Sequence, residues 1–168
     1  MKKRTTLRPV ADDDWEFLYR VYADTRQEEL SPVPWSPEEK DAFLRFQFDA
    51  QRKYYAEVFT KADYYIIEKA GEPIGRLYLD RREDEIRLID IALLGTFRGQ
   101  GLGGELMADV LAEGQRKGLL VRIHVEHNNP AMRLYQRLGF KKIEEQGVYW
   151  LMEWMPKQSA PTEKAHVD

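Results

Sequence analysis

The 168-residue chain contains no cysteine. This absence removes disulfides, thiolate zinc sites and a cysteine nucleophile together, and it fits a reducing compartment such as the cytoplasm. Histidine is scarce, at three residues, and His124 and His127 stand three apart in an extended segment, on opposite faces. That spacing offers no zinc geometry, so no metal is expected. The serines are Ser31, Ser36 and Ser159, none in a G-x-S-x-G setting, which leaves a hydrolase triad without support. No G-x-x-x-x-G-K-[S/T] occurs, so a nucleotide-hydrolysing phosphate loop is excluded. No apolar run approaches the roughly 20 residues that cross a bilayer. The basic start Met1-Lys2-Lys3-Arg4 is not followed by the apolar run of a signal peptide. A strong charge of one sign is missing too. With 26 Lys and Arg against 29 Asp and Glu, the formal charge is −3, too little to hold nucleic acid or an acidic membrane surface.

What is present describes an ordinary globular domain, 43% hydrophobic and 33% charged. The length suits one domain, expected over residues 1–156, with 157–168 as a loose tail that has little to bury. Residues 5–10 read as a first strand. The triplet Asp12-Asp13-Asp14 then suits a helix N-terminus, and Trp15, Leu18, Val21 and Tyr22 recur at helical spacing. The proline-rich stretch 31–37 breaks that helix. Ser36, Pro37 and Glu39 form a capping box that starts a second helix running to about Thr60. The period then becomes extended, with strands over 64–69, 74–80 and 85–93. A glycine-rich turn leads into a helix ending near Gly118, followed by a short strand over 119–125. Residues 130–138 form a helix stopped by Gly139, and strands over 141–146 and 148–155 close the chain. This order argues a mixed α/β fold with one main sheet.

The turn Arg98-Gly99-Gln100-Gly101-Leu102-Gly103-Gly104 carries the sharpest chemistry. Glycines between a strand and a helix leave backbone N–H groups bare at the positive end of a helix dipole, a cradle for a pyrophosphate. Arg98 adds a full positive charge beside it. Gly99, Gly101 and Gly104 also satisfy the dinucleotide pattern G-x-G-x-x-G, with Glu126 as the ribose contact. The context opposes that reading. A dinucleotide motif belongs in the first βαβ unit of a long doubly wound sheet, and here two helices and three strands precede it.

The turn resembles the [Q/R]-x-x-G-x-[G/A] loop of the GNAT superfamily of N-acetyltransferases, with Arg98, Gly101 and Gly103 at its defined positions. The segment Asn128-Asn129-Pro130-Ala131-Met132-Arg133-Leu134-Tyr135-Gln136-Arg137-Leu138-Gly139-Phe140 is similar to the family's second motif, N-x-x-A-x-x-L-Y-x-x-x-G-F. The resemblance implies a central, mostly antiparallel sheet with a splayed parallel pair of strands four and five, flanking helices and acetyl-CoA as co-substrate. It assigns backbone groups of Ile91, Ala92 and Leu93 to pantetheine or the thioester carbonyl. It gives the pyrophosphate to Arg98, Gly99, Gln100, Gly101, Leu102, Gly103 and Gly104. It places Asn128 on the cofactor arm and makes Tyr135 the acid that protonates the departing thiolate. A phenol, with a pKa near 10 against about 8.5 for a thiol, stays protonated at neutral pH and can donate.

The amine must lose a proton, and Asp90, on a strand face with Ile86, Leu88 and Ala92, is the first candidate base. Pairing with an arginine is the competing reading of the same carboxylate. At position 87, where some relatives hold a glutamate base, this chain has Arg87. Glu28 and Glu29, near the acceptor wall that the resemblance implies, are candidates for attracting a cationic amine. The aromatic set Trp35, Phe43, Phe46, Phe48, Tyr54, Tyr55 and Phe59 reads mainly as a helix packed on the sheet. His124 is a minor candidate for relaying a proton. The partner expected is an amine acceptor of undefined identity. For the apolar segment 149–155 two placements stay open: a sheet edge that pairs with a second subunit, or a strand inside its own sheet. A domain that binds acyl-CoA without turnover is the alternative to an enzyme.

Overall fold

The computed structural model describes residues 3–158, so most of the tail expected over 157–168 lies outside the described residues. In chain order the elements are β1 (Thr6–Pro9), a 3-10 turn (Asp12–Asp14), α1 (Trp15–Thr25), α2 (Gln27–Leu30), α3 (Pro37–Val58), β2 (Asp63–Lys69), β3 (Glu72–Arg81) and β4 (Glu85–Leu93). A second 3-10 turn (Gly95–Phe97) precedes α4 (Leu102–Lys117), β5 (Leu120–Glu126), α5 (Met132–Arg137), β6 (Lys141–Gln146) and β7 (Tyr149–Trp154). The expected mixed α/β order is present. The first helix ends sooner than its spacing suggests. The Thr25 hydroxyl donates to the Tyr22 carbonyl at 2.6 Å, and the Arg26 amide bonds to Ala23 at 3.0 Å, so the turn tightens and α2 restarts separately. At α3 the capping box forms as expected. Ser36 Oγ accepts from the Glu39 amide at 3.1 Å, and the Glu39 carboxylate accepts from the Ser36 amide at 2.8 Å.

The chain groups into two compact units, one of residues to Arg81 with Leu88–Leu106, the other of Arg82–Arg87 with residues from Met107 onward. Strand β4 is divided between them. The strand order is β1-β2-β3-β4 in the first unit and β4-β5-β7-β6 in the second. Pairing is mostly antiparallel. Strands β4 and β5, neighbours joined through helix α4, form a parallel pair, as a crossover connection requires.

In the first unit, β1 and β2 pair with Thr6 opposite Glu68, and Ile66 of β2 lies opposite Arg76 of β3. Helices α1 and α3 bury Leu18, Tyr19, Tyr22, Leu44 and Phe48 against Ile66. Phe48 anchors this cluster, 5.8 Å from the Tyr19 ring and 5.6 Å from the Tyr22 ring. The helix-on-sheet reading of the aromatic set therefore holds at Phe48, while Phe46 is 74% exposed and Trp35 and Tyr54 are also exposed.

In the second unit, β7 lies between β5 and β6, with Val125 opposite Trp150 on one side and Glu145 opposite Trp150 on the other. Of the two placements open for residues 149–155, the strand lies inside its own sheet. Both backbone sides of the strand are already hydrogen-bonded, and the edge is β6, which carries Lys141, Lys142, Glu144 and Glu145. Trp154 fills the space above two glycines, since a β-carbon on Gly114 or Gly139 would lie 3.1 or 3.2 Å from its ring. The buried Glu85 carboxylate accepts from Arg87 at 3.0 Å and from Arg122 at 3.1 Å, which compensates its charge.

One ion network ties the start of the first unit together. Arg8 donates both terminal nitrogens to Asp14, at 2.8 and 2.9 Å, and Nε to Glu68 at 2.8 Å, while the Ala11 amide donates to Asp14 at 2.7 Å. Asp14 therefore sits at a helix start, as the triplet suggests, and is buried there against Arg8. The hydrogen bond from Arg8 holds its carboxyl below the usual value of 3.8 despite burial. Because the folded state favours the charged form, its stabilisation is complete above the unfolded pKa. It is lost as pH falls through the lower, folded value. Asp14→Asn is expected to cost about 1–3 kcal/mol at pH 7, and this gap should close as the pH is taken below 3.8. Urea unfolding across a pH series measures it. A gap that stays constant down to pH ~2 would refute the linkage.

Candidate active site

Strand β4 delivers the chain to the glycine-rich turn. Gly99 and Gly101 take left-handed conformations, with φ of 75° and 81°, which glycine adopts without the β-carbon penalty. The first helical bond of α4 runs from the Glu105 amide to the Gly101 carbonyl at 3.1 Å. The amides of Leu102, Gly103 and Gly104 therefore have no acceptor within the helix. A β-carbon at Gly99 or Gly103 would meet nothing within 4 Å, so the outer side of the turn is open to a ligand. Bare amides, a helix dipole and open space make an anion cradle.

Arg98 is less free than the motif suggests. Its Nε donates to the Leu93 carbonyl at 3.0 Å and its Nη2 to Asp24 at 2.9 Å. The same Asp24 oxygen accepts from the Gly95 amide at 2.6 Å. Asp24 thus staples α1 to both ends of the short 3-10 turn, a role the sequence reading missed. A signal was present, because an acid in the last turn of a helix opposes the dipole and calls for a compensating cation. Asp24 also lines a groove of about 310 Å³ with Tyr19, Arg20, Gln27, Leu94 and Thr96. Glu28 and Glu29 are exposed on α2, with Glu29 3.6 Å from Arg26, so the acid lining this groove is Asp24 instead.

At the end of β4 the Ala92 carbonyl occupies the position a β-carbon on Gly75 would need, 2.2 Å away, and the Leu93 side chain lies 2.9 Å from it. Glycine at position 75 is what lets β3 approach the segment Ile91-Ala92-Leu93 so closely. Asp90 is bound. Its carboxylate accepts from Arg76 Nε at 2.5 Å, and Arg76 Nη2 donates to Gln51 at 3.0 Å. The Arg76 side chain is 4% exposed against 28% for Asp90. Burial alone would push the guanidinium down, but the adjoining Asp90 carboxylate holds it up, so it stays cationic. Burial in turn pushes the Tyr78 phenol up to about 12. Arginine pairing, one of the two readings of Asp90, is what the side chains do. Arg87 turns to Glu85 at 3.0 Å.

In the second unit the turn after β5 is built by Asn129, whose side-chain oxygen accepts from the Ala131 amide at 2.8 Å. Neighbouring Asn128 is exposed. Tyr135 of α5 is 4% exposed and packs edge-on against Phe140, with ring centres 5.9 Å apart. His124 is exposed and shares a hydrogen bond of 2.8 Å with Gln146. The first unit therefore gathers Asp90, Ile91, Ala92, Leu93 and residues 98–104, while Asn128 and Tyr135 belong to the second. Among the described residues no group of three or more His, Asp or Glu side chains is arranged to hold a metal ion, and no helix is long and apolar enough to cross a membrane.

The family model described as "Acetyltransferase (GNAT) family" matches residues 15–140. The chain is 32% identical over 155 residues to the [ribosomal protein bS18]-alanine N-acetyltransferase of Haemophilus influenzae, covering 92% of this chain and 90% of that one. Among solved structures, the PaiA N-acetyltransferase of Thermoplasma acidophilum in complex with coenzyme A superposes with a TM-score of 0.69 at 17% identity, covering 92% of this chain and 99% of that one. The ribosomal-protein-S18-alanine N-acetyltransferase of Escherichia coli gives 0.62 at 18% identity, covering 94% and 98%. The chain belongs to the GNAT acetyltransferase family and is an acetyl-CoA-dependent acyltransferase.

The close packing at Gly75 yields a direct expectation. Gly75→Ala sets a methyl group against a backbone oxygen that no rotamer change can move, at a cost of about 1–3 kcal/mol. Thermal unfolding should fall by several degrees. An unchanged melting curve would show that the Ala92-Leu93 backbone can yield.

Proposed function

We propose that this enzyme acetylates the α-amine of a protein or peptide N-terminus by direct attack on acetyl-CoA in a ternary complex. The observation that carries the acyl-donor half is the phosphate-binding turn, with its left-handed Gly99 and Gly101 opening onto the bare amides of α4. The acceptor half is supported by the relative that acts on the alanine of ribosomal protein bS18, similar along 92% of this chain. Its chemistry suits the site. An α-amine has a pKa of about 7.7–8.0, so an appreciable fraction is neutral near pH 7, and the enzyme needs only a modest base.

In this reading Arg98, Gly99, Gln100, Gly101, Leu102, Gly103 and Gly104 hold the pyrophosphate, and Asn128 meets the cofactor arm. Backbone groups of Ile91, Ala92 and Leu93 align pantetheine, and one amide there stabilises the charge that develops on the thioester oxygen. The amine nitrogen forms its bond to the carbonyl carbon as the carbon–sulfur bond breaks. Tyr135 supplies a proton to the departing thiolate. The proton lost by the amine passes to the second carboxylate oxygen of Asp90, whose first oxygen Arg76 fixes at 2.5 Å. With no cysteine in the chain, no acyl-cysteine intermediate forms. Acetyl-CoA supply and the cysteine-free composition together favour a cytoplasmic setting.

The test pairs acetyl-CoA with two peptides, one with a free N-terminal alanine and one N-terminally blocked but carrying a lysine, and follows release of free coenzyme A. Turnover is expected with the free α-amine alone, with intersecting initial-velocity lines. Parallel lines would overturn direct attack, and equal turnover of the blocked peptide would overturn the acceptor assignment. Tyr135→Phe should lower kcat by roughly 10²–10⁴-fold while acetyl-CoA affinity is retained. Acetyl-CoA that stabilises the fold by about 2.7 kcal/mol at a hundredfold excess over Kd, with no amine acetylated, would favour an acyl-CoA sensor instead.

A further inference from the structure

Arg4 stands in the basic start of the chain and belongs to no motif, yet its side chain reaches the glycine-rich turn. Nη2 donates to the Gln100 carbonyl at 3.0 Å, and Nε donates to Glu105 at 2.9 Å, while Nη2 also pairs with the same carboxylate. A β-carbon on Gly101 would lie 3.4 Å from Arg4 Nη2. Gln100 is held from its other side as well, its amide donating to the Thr96 carbonyl at 3.0 Å. Hydrogen bonding from Arg4 keeps the Glu105 carboxyl below its ordinary value, so Glu105 is a carboxylate, the acidic residue of the first turn of α4.

A carboxylate there is favourable for an empty helix terminus and unfavourable for one that must accept phosphates, because both compete for the same positive field. We propose that Arg4 is a positioning residue for the phosphate-binding turn. It cancels the charge of Glu105 and pins the Gln100-Gly101 peptide, where the chain takes its left-handed step into α4. The guanidinium suits both tasks, since its planar fork grips a carboxylate and a carbonyl together, whereas a lysine offers a single ammonium. The inference rests on the acetyl-CoA reading of the turn and extends it to a residue about a hundred positions away in sequence, as the Arg4–Glu105 separation of 101 states.

The experiment is calorimetric titration of the full-length protein with coenzyme A, dephospho-coenzyme A and pantetheine, across a salt series. Arg4→Ala should weaken coenzyme A and dephospho-coenzyme A alike, on the order of tenfold, and leave pantetheine unchanged. Adding Glu105→Gln to Arg4→Ala should recover most of the loss, because the uncompensated carboxylate is then gone. Arg4→Lys, which keeps the charge, should fall between the parent and Arg4→Ala and serves if the alanine variant does not fold. Binding of both nucleotides within twofold of the parent would overturn the role. So would a loss confined to coenzyme A, which would place Arg4 on the 3′-phosphate, or a loss of pantetheine binding as well, which would mark a general structural defect. If the parent itself binds no coenzyme A, the cofactor reading fails rather than this one.

Discussion

An α-helix starts with amides that its own geometry cannot satisfy, and α4 starts with three of them, on Leu102, Gly103 and Gly104. Much of the first unit is arranged around that unsatisfied start. Gly99 and Gly101 supply the left-handed steps that turn the chain outward from β4. Asp24 receives the Gly95 amide and Arg98, which fixes the entry to the turn from the side of α1. Arg4 donates to the Gln100 carbonyl, which fixes its exit. A loop this rich in glycine loses much conformational entropy on ordering, so polar staples at both ends are what keep it in one shape before a ligand arrives.

Charge inside the molecule is handled by pairing. Arg76, the most deeply buried of the cations discussed, has Asp90 and Gln51 as partners and the Tyr78 ring 4.8 Å from its guanidinium carbon. Asp14 has Arg8, and Glu85 has Arg87 and Arg122. Removing one member of such a pair strands the other in low dielectric, which costs more than the pair itself contributes. This asymmetry links fold and site at Asp90. The carboxylate we propose for proton transfer also neutralises the Arg76 cation, so its position is set by a structural requirement.

How much of this was legible in the letters depended on the range of the cause. The capping box at Ser36 and the stop at Gly139 were readable because both partners lie within a few residues of each other. The two glycine and tyrosine motifs were readable for the same reason, and the GNAT model now spans residues 15–140. Asp14 stands at a helix start as its acidity suggests, but its ion pair was not legible, because the guanidinium comes from Arg8 on β1. The restart at α2 was missed because a threonine hydroxyl competing for a carbonyl leaves no periodic trace. The apolar content of residues 149–155 left both an edge and an internal strand open, because edge status depends on which strands lie to either side, and β6 takes the edge.

The sequence alone determined most of the order of elements, the place of the glycine turn ahead of α4, and the family. These rest on backbone preferences and short spacings that act within a dozen residues. Only the tertiary structure decided which charges meet. Asp24 with Arg98, Arg76 with Asp90, and Arg4 with Glu105 are separated by 74, 14 and 101 positions. No local rule pairs them, because a charge-assisted hydrogen bond is selected by distance in space and by the loss of water around it.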